Sequence, residues 1–350
     1  MTSPRRASIP LWGLAVLLIL ISFLALGRGA VRIPPAQCLN IFLDRFGLAI
    51  GPVDAQQRAV LLSIRLPRVL LAILVGAGLG VSGAAMQGLL RNPLADPSLI
   101  GISSGGALAA TAVFVLSDAL AWNLSAYPGM FALPTAAFVG GLITTIAVYK
   151  LSQVSGRMVI GVVLLAGIAI NAIAQAFSSL LTFYATDTQI RSITFWRLGS
   201  LGGATWLSVA VIAPFILIPV AGLTIQSRAL NAFLLGESEA FHLGVRVERV
   251  KRIVIVLVAM AAGASVAVTG IIGFVGLVVP HMLRLMSGPD YRRLLPGSAL
   301  LGAIVLLAAD LIARTLVIPA ELPIGIITAL GGAPFFLYLL LRDRKFRIVS

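Results

Sequence analysis

Side chains able to do chemistry are scarce in this chain, and the few present are badly spaced for it. Its 350 residues include 12 acidic side chains, 2 histidines and 1 cysteine. The only lysines are Lys150, Lys251 and Lys345, and none ends a G-x-x-x-x-G-K-[ST] phosphate loop. His242 and His281 have no cysteine or acidic cluster spaced around them for a metal, and a lone Cys38 forms no internal disulfide. No nucleophile–base pair is evident. No catalytic or metal-ligating residue is therefore assigned, and no cofactor is expected on this chain. Cys38, Met86 and Tyr184 read as packing residues.

One ionisable residue does stand out. Asp310 is the only acidic side chain clearly inside an apolar run, and Arg314 follows four residues later on the same helix face. An intramembrane carboxylate is either a structural ion pair or a proton relay. One such residue is a thin basis for an ion-coupled secondary transporter, which is the alternative from a different functional class. Energy supplied by another chain is the simpler account.

The elements that carry these residues are dictated by composition. Hydrophobic residues make up 59% of the chain and charged ones 11%, against roughly a quarter charged in soluble domains. Lipid is the solvent that accommodates so much apolar surface. A membrane helix needs about 20 mainly apolar residues, which leaves only short loops between about ten of them. The expected spans are residues 11–30, 62–90, 98–117, 131–150, 158–183, 206–226, 252–271, 273–287, 297–317 and 325–341. The last-but-three and last-but-two form one apolar stretch, split because a single helix of that length would overshoot the bilayer. The fold class is an all-α integral membrane protein, with residues 1–350 as a single transmembrane domain.

The net charge of +14 is spread between apolar runs, which fits loops facing anionic lipid better than a nucleic-acid stripe. With the N-terminus inside, 17 basic residues, Arg5 and Arg6 among them, lie on the cytoplasmic side and 9 outside, so both termini are expected in the cytoplasm. Residues 11–26 approach spanning length and are read as the first membrane helix, not as a signal peptide. Small residues such as Gly76-Ala77-Gly78, Gly83-Ala84-Ala85 and Ala261-Ala262-Gly263-Ala264 allow close helix approach. Residues 77–83 resemble residues 262–268, which would run the opposite way, and this suggests an inverted repeat.

Residues 227–252 are the most charged part of the chain, with Leu234, Leu235, Phe241, Leu243 and Val245 interleaved. Gly236 and Gly244 cut the segment into short pieces. Apolar anchors within a polar rim suggest a pair of short helices docking on a cytosolic partner.

Several motifs in order then identify a resemblance: Arg65-Leu66-Pro67-Arg68, Ser82-Gly83-Ala84-Ala85-Met86-Gln87-Gly88, Arg91-Asn92-Pro93-Leu94-Ala95-Asp96-Pro97, Gly101-Ile102-Ser103-Ser104-Gly105, Leu235-Gly236-Glu237, Gly273-Phe274 through Pro280-His281 and Glu321-Leu322-Pro323-Ile324-Gly325. From about residue 20 to 342 the chain resembles the FecCD family, the permease subunits of bacterial importers for haem, ferric siderophores or cobalamin. The resemblance implies a cobalamin-importer-like fold of ten helices. It also implies an inner-membrane homodimer, two ATPase subunits holding ATP and magnesium below, and a periplasmic binding protein above. Thr188-Gln189-Ile190-Arg191 and residues 195–203 look most like the haem-carrying members; a siderophore or cobalamin permease is the alternative.

The resemblance also implies roles for particular residues. Asn92, Pro93 and Leu94, at a helix break, and a second element near Ser155 would close the inner end of the path. Gly236, Glu237 and Gly244 would couple to the ATPase. Arg65, Arg68 and Arg314, at the outer ends of their helices, would receive acidic residues of the binding protein, since a guanidinium suits carboxylates. His281, within a family motif, reads as a helix-packing residue.

Overall fold

The computed structural model describes residues 10–347 apart from Ala30, Phe46, Ala49, Ile50, residues 118–130 and Pro319. Arg5 and Arg6 lie outside the described residues. All ten expected spans appear as apolar helices, and short elements fill the turns between them. In chain order the helices are α1 (Leu11–Gly27), α2 (Pro35–Asp44), α3 (Ala55–Ala59), α4 (Leu66–Leu89), α5 (Ile102–Leu116), α6 (Ala132–Leu151), α7 (Ile160–Phe183), α8 (Asp187–Leu198), α9 (Trp206–Ile225), α10 (Ser227–Phe233), α11 (Glu237–His242), α12 (Val247–Thr269), α13 (Val275–Ser287), α14 (Tyr291–Ala313) and α15 (Ile324–Arg347). Among the described residues six runs are long and apolar enough to cross a membrane, and α1, α5, α13 and the Ile324–Tyr338 part of α15 supply shorter apolar stretches.

Four boundaries differ from expectation by five residues or more. α12 starts at Val247, so the charged segment contributes its first turn. α14 starts at Tyr291 because Asp290 caps it, accepting from the Arg292 N–H at 3.0 Å. α15 continues to Arg347. The second span is the end of a 35-residue helical run from Ala55 to Leu89. Pro67 offers no N–H to the carbonyl four residues back, and its ring would meet it. The wider π turn at Val60–Arg65 relieves that conflict.

α4 is the centre of the molecule. In its most apolar stretch 78% of residues are buried, against 22% in each of α6, α7 and α9, which leave apolar faces outward. Its glycines make this possible. A Cβ on Gly80 would strike the carbonyl of Ser298, and one on Gly83 the carbonyl of Gly276. Gly76 meets Gly302 in the same way. Pairing 76 with 302 and 80 with 298 sets α4 and α14 antiparallel. Cys38 is buried filler, its thiol 3.8 Å from the Ile33 carbonyl oxygen.

The split of the 252–287 stretch is real. α12 ends where Gly270 takes φ 74°, and α13 begins after Phe274 at φ 67°. Only a few residues with positive φ can turn the chain so sharply.

Besides α2, which also fills a stretch expected to be loop, two elements went unforeseen. α8 occupies a stretch expected to be loop. It is opened by a capping box between Thr186 and Gln189. It is held down where Ser200 N–H donates to the Thr269 carbonyl at 2.8 Å and Ile324 N–H to the Gly199 carbonyl at 3.0 Å. Between α6 and α7 lies a hairpin of β1 (Gln153–Val154) and β2 (Arg157–Met158), antiparallel with Gln153 opposite Met158. Its turn is Ser155-Gly156, both at positive φ (51° and 77°), the conformation two-residue hairpins prefer.

Candidate functional site

The end of the bundle carrying α2, α3 and α8 holds the three arginines expected to stand free for docking. The structure corrects that expectation of exposure: all three are buried, because each finds partners within the chain. Arg65 donates to the Leu26 carbonyl at 2.6 Å and to that of Val31. Arg314 donates to the Ala25 carbonyl. Arg68 Nε donates to Asp310 Oδ1 at 2.9 Å, and its Nη1 lies 2.9 Å from Glu321 Oε2.

Asp310 thus sits between two guanidiniums. Its partner is Arg68 more than the expected Arg314, whose Nε is 3.6 Å from Oδ2, an ion pair too long for a hydrogen bond. A carboxylate fixed between two buried cations has the geometry of a structural tie, and this weighs against a proton relay. Glu321, 46% exposed along its side chain, is the one member of the group that reaches the surface. Sequence reading named it only within a motif. The ion pair to Arg68 spans 253 residues, and no local spacing signals it.

At the opposite end, residues 227–252 form the expected pair of short helices, α10 and α11. Gly236 at φ 119° and Gly244 at φ 81° bracket α11, so both glycines are used for backbone conformations that side chains disfavour. Leu235, Phe241 and Leu243 are exposed. Glu237 begins α11, and its Oε2 lies 2.7 Å from Lys251 Nζ. Lys251, one of the charges of this segment, is fully buried because it is paired and hydrogen-bonded. A cleft of about 610 Å³ opens between α11, the start of α12 and Arg157 of the hairpin.

The break after α4 turns as expected. Arg91 takes φ 47°, and Asn92 Oδ1 accepts from the Leu94 N–H at 2.9 Å. Pro93 and Leu94 are exposed, as is Ser155 at the hairpin tip. A Cβ on Gly236 would stand 3.9 Å from the Arg91 guanidinium, so this turn adjoins the start of α11. Among the described residues no group of three or more His, Cys, Asp or Glu could hold a metal.

Comparison with known proteins follows from this architecture. A model of the FecCD transport family matches residues 17–342. The hemin transport system permease protein HmuU of Yersinia pestis is 46% identical over 339 residues, 95% of this chain and 96% of that protein. The vitamin B12 import system permease protein BtuC of Klebsiella pneumoniae is 37% identical, covering 97% and 96%. The iron(3+)-hydroxamate import system permease protein FhuG of Bacillus subtilis is 34% identical, covering 93% and 95%. A solved ABC transporter described as of metal-chelate type, in an inward-facing conformation, superposes with a TM-score of 0.82 at 33% identity over 95% of this chain and 98% of its own.

Proposed function

The chain belongs to the FecCD transport family, a multi-pass membrane permease of ABC importers, and from that premise we propose that its cargo is haem. The observation that carries this reading is the 46% identity to a hemin permease along nearly the whole of both chains, against 37% to a cobalamin permease of similar coverage. The permease works as a homodimer in the bacterial inner membrane with both termini in the cytoplasm. ATP and magnesium belong to two separate ATPase subunits, since this chain has no phosphate loop.

In this reading α11 is the ATPase contact. Gly236 and Gly244 set its orientation, Glu237 opens it, and Phe241 and Leu243 supply exposed apolar anchors. The turn at Asn92, Pro93 and Leu94 and the hairpin tip at Ser155 close the inner end of the path between the two protomers.

The outer face receives a periplasmic binding protein. Docking through Arg65, Arg68 and Arg314 takes a form that their burial dictates. An incoming carboxylate reaches Arg68 by displacing the surface residue Glu321 from it. Arg65 and Arg314 remain tied to α1 and hold the platform in place.

The test is uptake by the reconstituted permease with its ATPase and binding protein, offered haem, cobalamin or a ferric siderophore in turn. Uptake of haem alone, dependent on ATP, is the expected result. Uptake of cobalamin or siderophore without haem overturns the cargo, and uptake on an ion gradient without ATP overturns the mechanism.

A further inference from the structure

The buried Lys251 on α12 holds together its own helix, α11 fourteen residues back and β2, whose Met158 lies 93 residues earlier in the chain. Its Nζ lies 2.7 Å from Glu237 Oε2 on α11, 3.1 Å from Glu248 Oε1 one turn back on α12, and 2.9 Å from the carbonyl oxygen of Met158 on β2. The other oxygen of Glu248 accepts from the Met158 N–H at 3.1 Å. Both backbone polar groups of one hairpin residue are therefore held by a lysine–glutamate pair three residues apart on a single helix. The same lysine is held by the first residue of α11.

This arrangement is costly to build and hard to slide. An ammonium removed from water needs its donors satisfied, and here all three have named acceptors. Met158 sits opposite Gln153 in the hairpin. In an antiparallel ladder alternate pairs leave their N–H and C=O pointing away from the partner strand. Those are the groups α12 takes up. Three residues before Met158 is Ser155, at the exposed tip. A shift of α11 that carries Glu237 with it pulls on Lys251, and Lys251 pulls on the backbone of β2.

The geometry points to Lys251 and Glu248 as positioning residues that transmit movement of α11 to the hairpin. The inference rests on the reading that α11 meets the ATPase and that the hairpin closes the path. It adds the physical link between the two. It requires no contact of Lys251 with cargo or with ATP.

The experiment uses the full importer, permease with ATPase and binding protein, in vesicles. Ser155→Cys reports the hairpin through its rate of labelling by a water-soluble maleimide, with and without ATP. Uptake per ATP hydrolysed is measured on the same samples. In the parent, ATP changes the labelling rate. In Lys251→Met the change disappears and uptake per ATP falls about tenfold, within the roughly 5–150-fold span of ordinary coupling energies. A link that served stability alone would lower yield or melting temperature and leave both ratios at the parent value. Glu248→Ala keeps the Lys251–Glu237 pair, leaves no buried charge alone, and gives the same loss in smaller measure. It is the variant read if Lys251→Met does not fold. Parent-like labelling response and parent-like uptake per ATP in these variants overturn the inference. A parent whose labelling ignores ATP overturns the hairpin's assignment to the gate instead, and the link to it falls with that assignment.

Discussion

Arg68 on α4 and Asp310 on α14, 242 residues apart in sequence, are joined by a hydrogen bond of 2.9 Å and an ion pair of 2.8 Å in a buried site. Asp310 is 1% exposed, and Arg314 presses on it from its other side. Two cations share one carboxylate there, so the carboxylate is the residue whose loss is felt most.

Asp310→Ala leaves both guanidiniums buried without their common partner. Removing one member of a buried ion pair costs about 3–5 kcal/mol, so the variant should melt well below the parent in detergent. Arg68→Met with Asp310→Leu and Arg314→Leu removes the charges together and should recover most of that loss. A triple variant as unstable as Asp310→Ala would show that shape, not charge, sets the cost.

Gly83 faces the Gly276 carbonyl so closely that no side chain fits between α4 and α13. Gly83→Ala should abolish folded, monodisperse protein, because two backbones must separate to admit one methyl group. Gly161 lies in the first turn of α7 with nothing near its Cβ position. Gly161→Ala should be neutral or gain up to about 1 kcal/mol. Size-exclusion profiles of the two variants give the comparison directly.

Leu94→Cys places a thiol on the exposed turn after α4. If two protomers close the path there, crosslinking should stop uptake, and reduction should restore it. Full crosslinking with undiminished uptake would remove this turn from the gate. The native Cys38 need not be removed first. It is buried in α2, and burial pushes its thiol pKa up, so at a given pH less of it is the reactive thiolate. Unmodified protein should therefore take up no maleimide at neutral pH, which mass spectrometry checks.

Glu321→Gln removes the carboxylate that covers Arg68 at the surface. If the binding protein's acidic residues compete for that guanidinium, its association rate should rise by up to about fivefold, the equivalent of the roughly 0–1 kcal/mol of an exposed pair. The gain should shrink at high salt, as steering does. An unchanged rate at low salt would place docking at other residues, such as the exposed Arg28, Arg32 and Arg191.

Hydropathy made the ten helices legible because lipid demands an apolar run of every span, whatever its length. Direction of side chains is a different matter. Arg65 and Arg68 stand at a helix end where charge rules place arginines in water, yet their partners are carbonyls of α1 and carboxylates more than 240 residues on. The same holds for Lys251, whose neighbours Arg249 and Arg252 are the exposed charges it resembled. The hairpin at Gln153–Met158 escaped because two-residue strands are too short to show alternation. The α11 segment was legible because Gly236 and Gly244 punctuate it, and both do adopt the positive φ that glycine is suited to.

The carbonyls of Ala25 and Leu26, at the end of α1, have a consequence for biogenesis. Arg65 reaches Leu26 early, but Arg314 leaves the ribosome 289 residues after Ala25. At about 5–20 residues per second that is a delay of roughly 15–60 s. The first helix must wait in the insertion machinery, or in a half-built bundle, with one end unmatched until the ninth apolar helix arrives. An interrupted chain that stops short of α14 cannot complete this joint. The joint thus distinguishes a finished molecule from a truncated one, and a membrane protease that tests the looseness of α1 would read it.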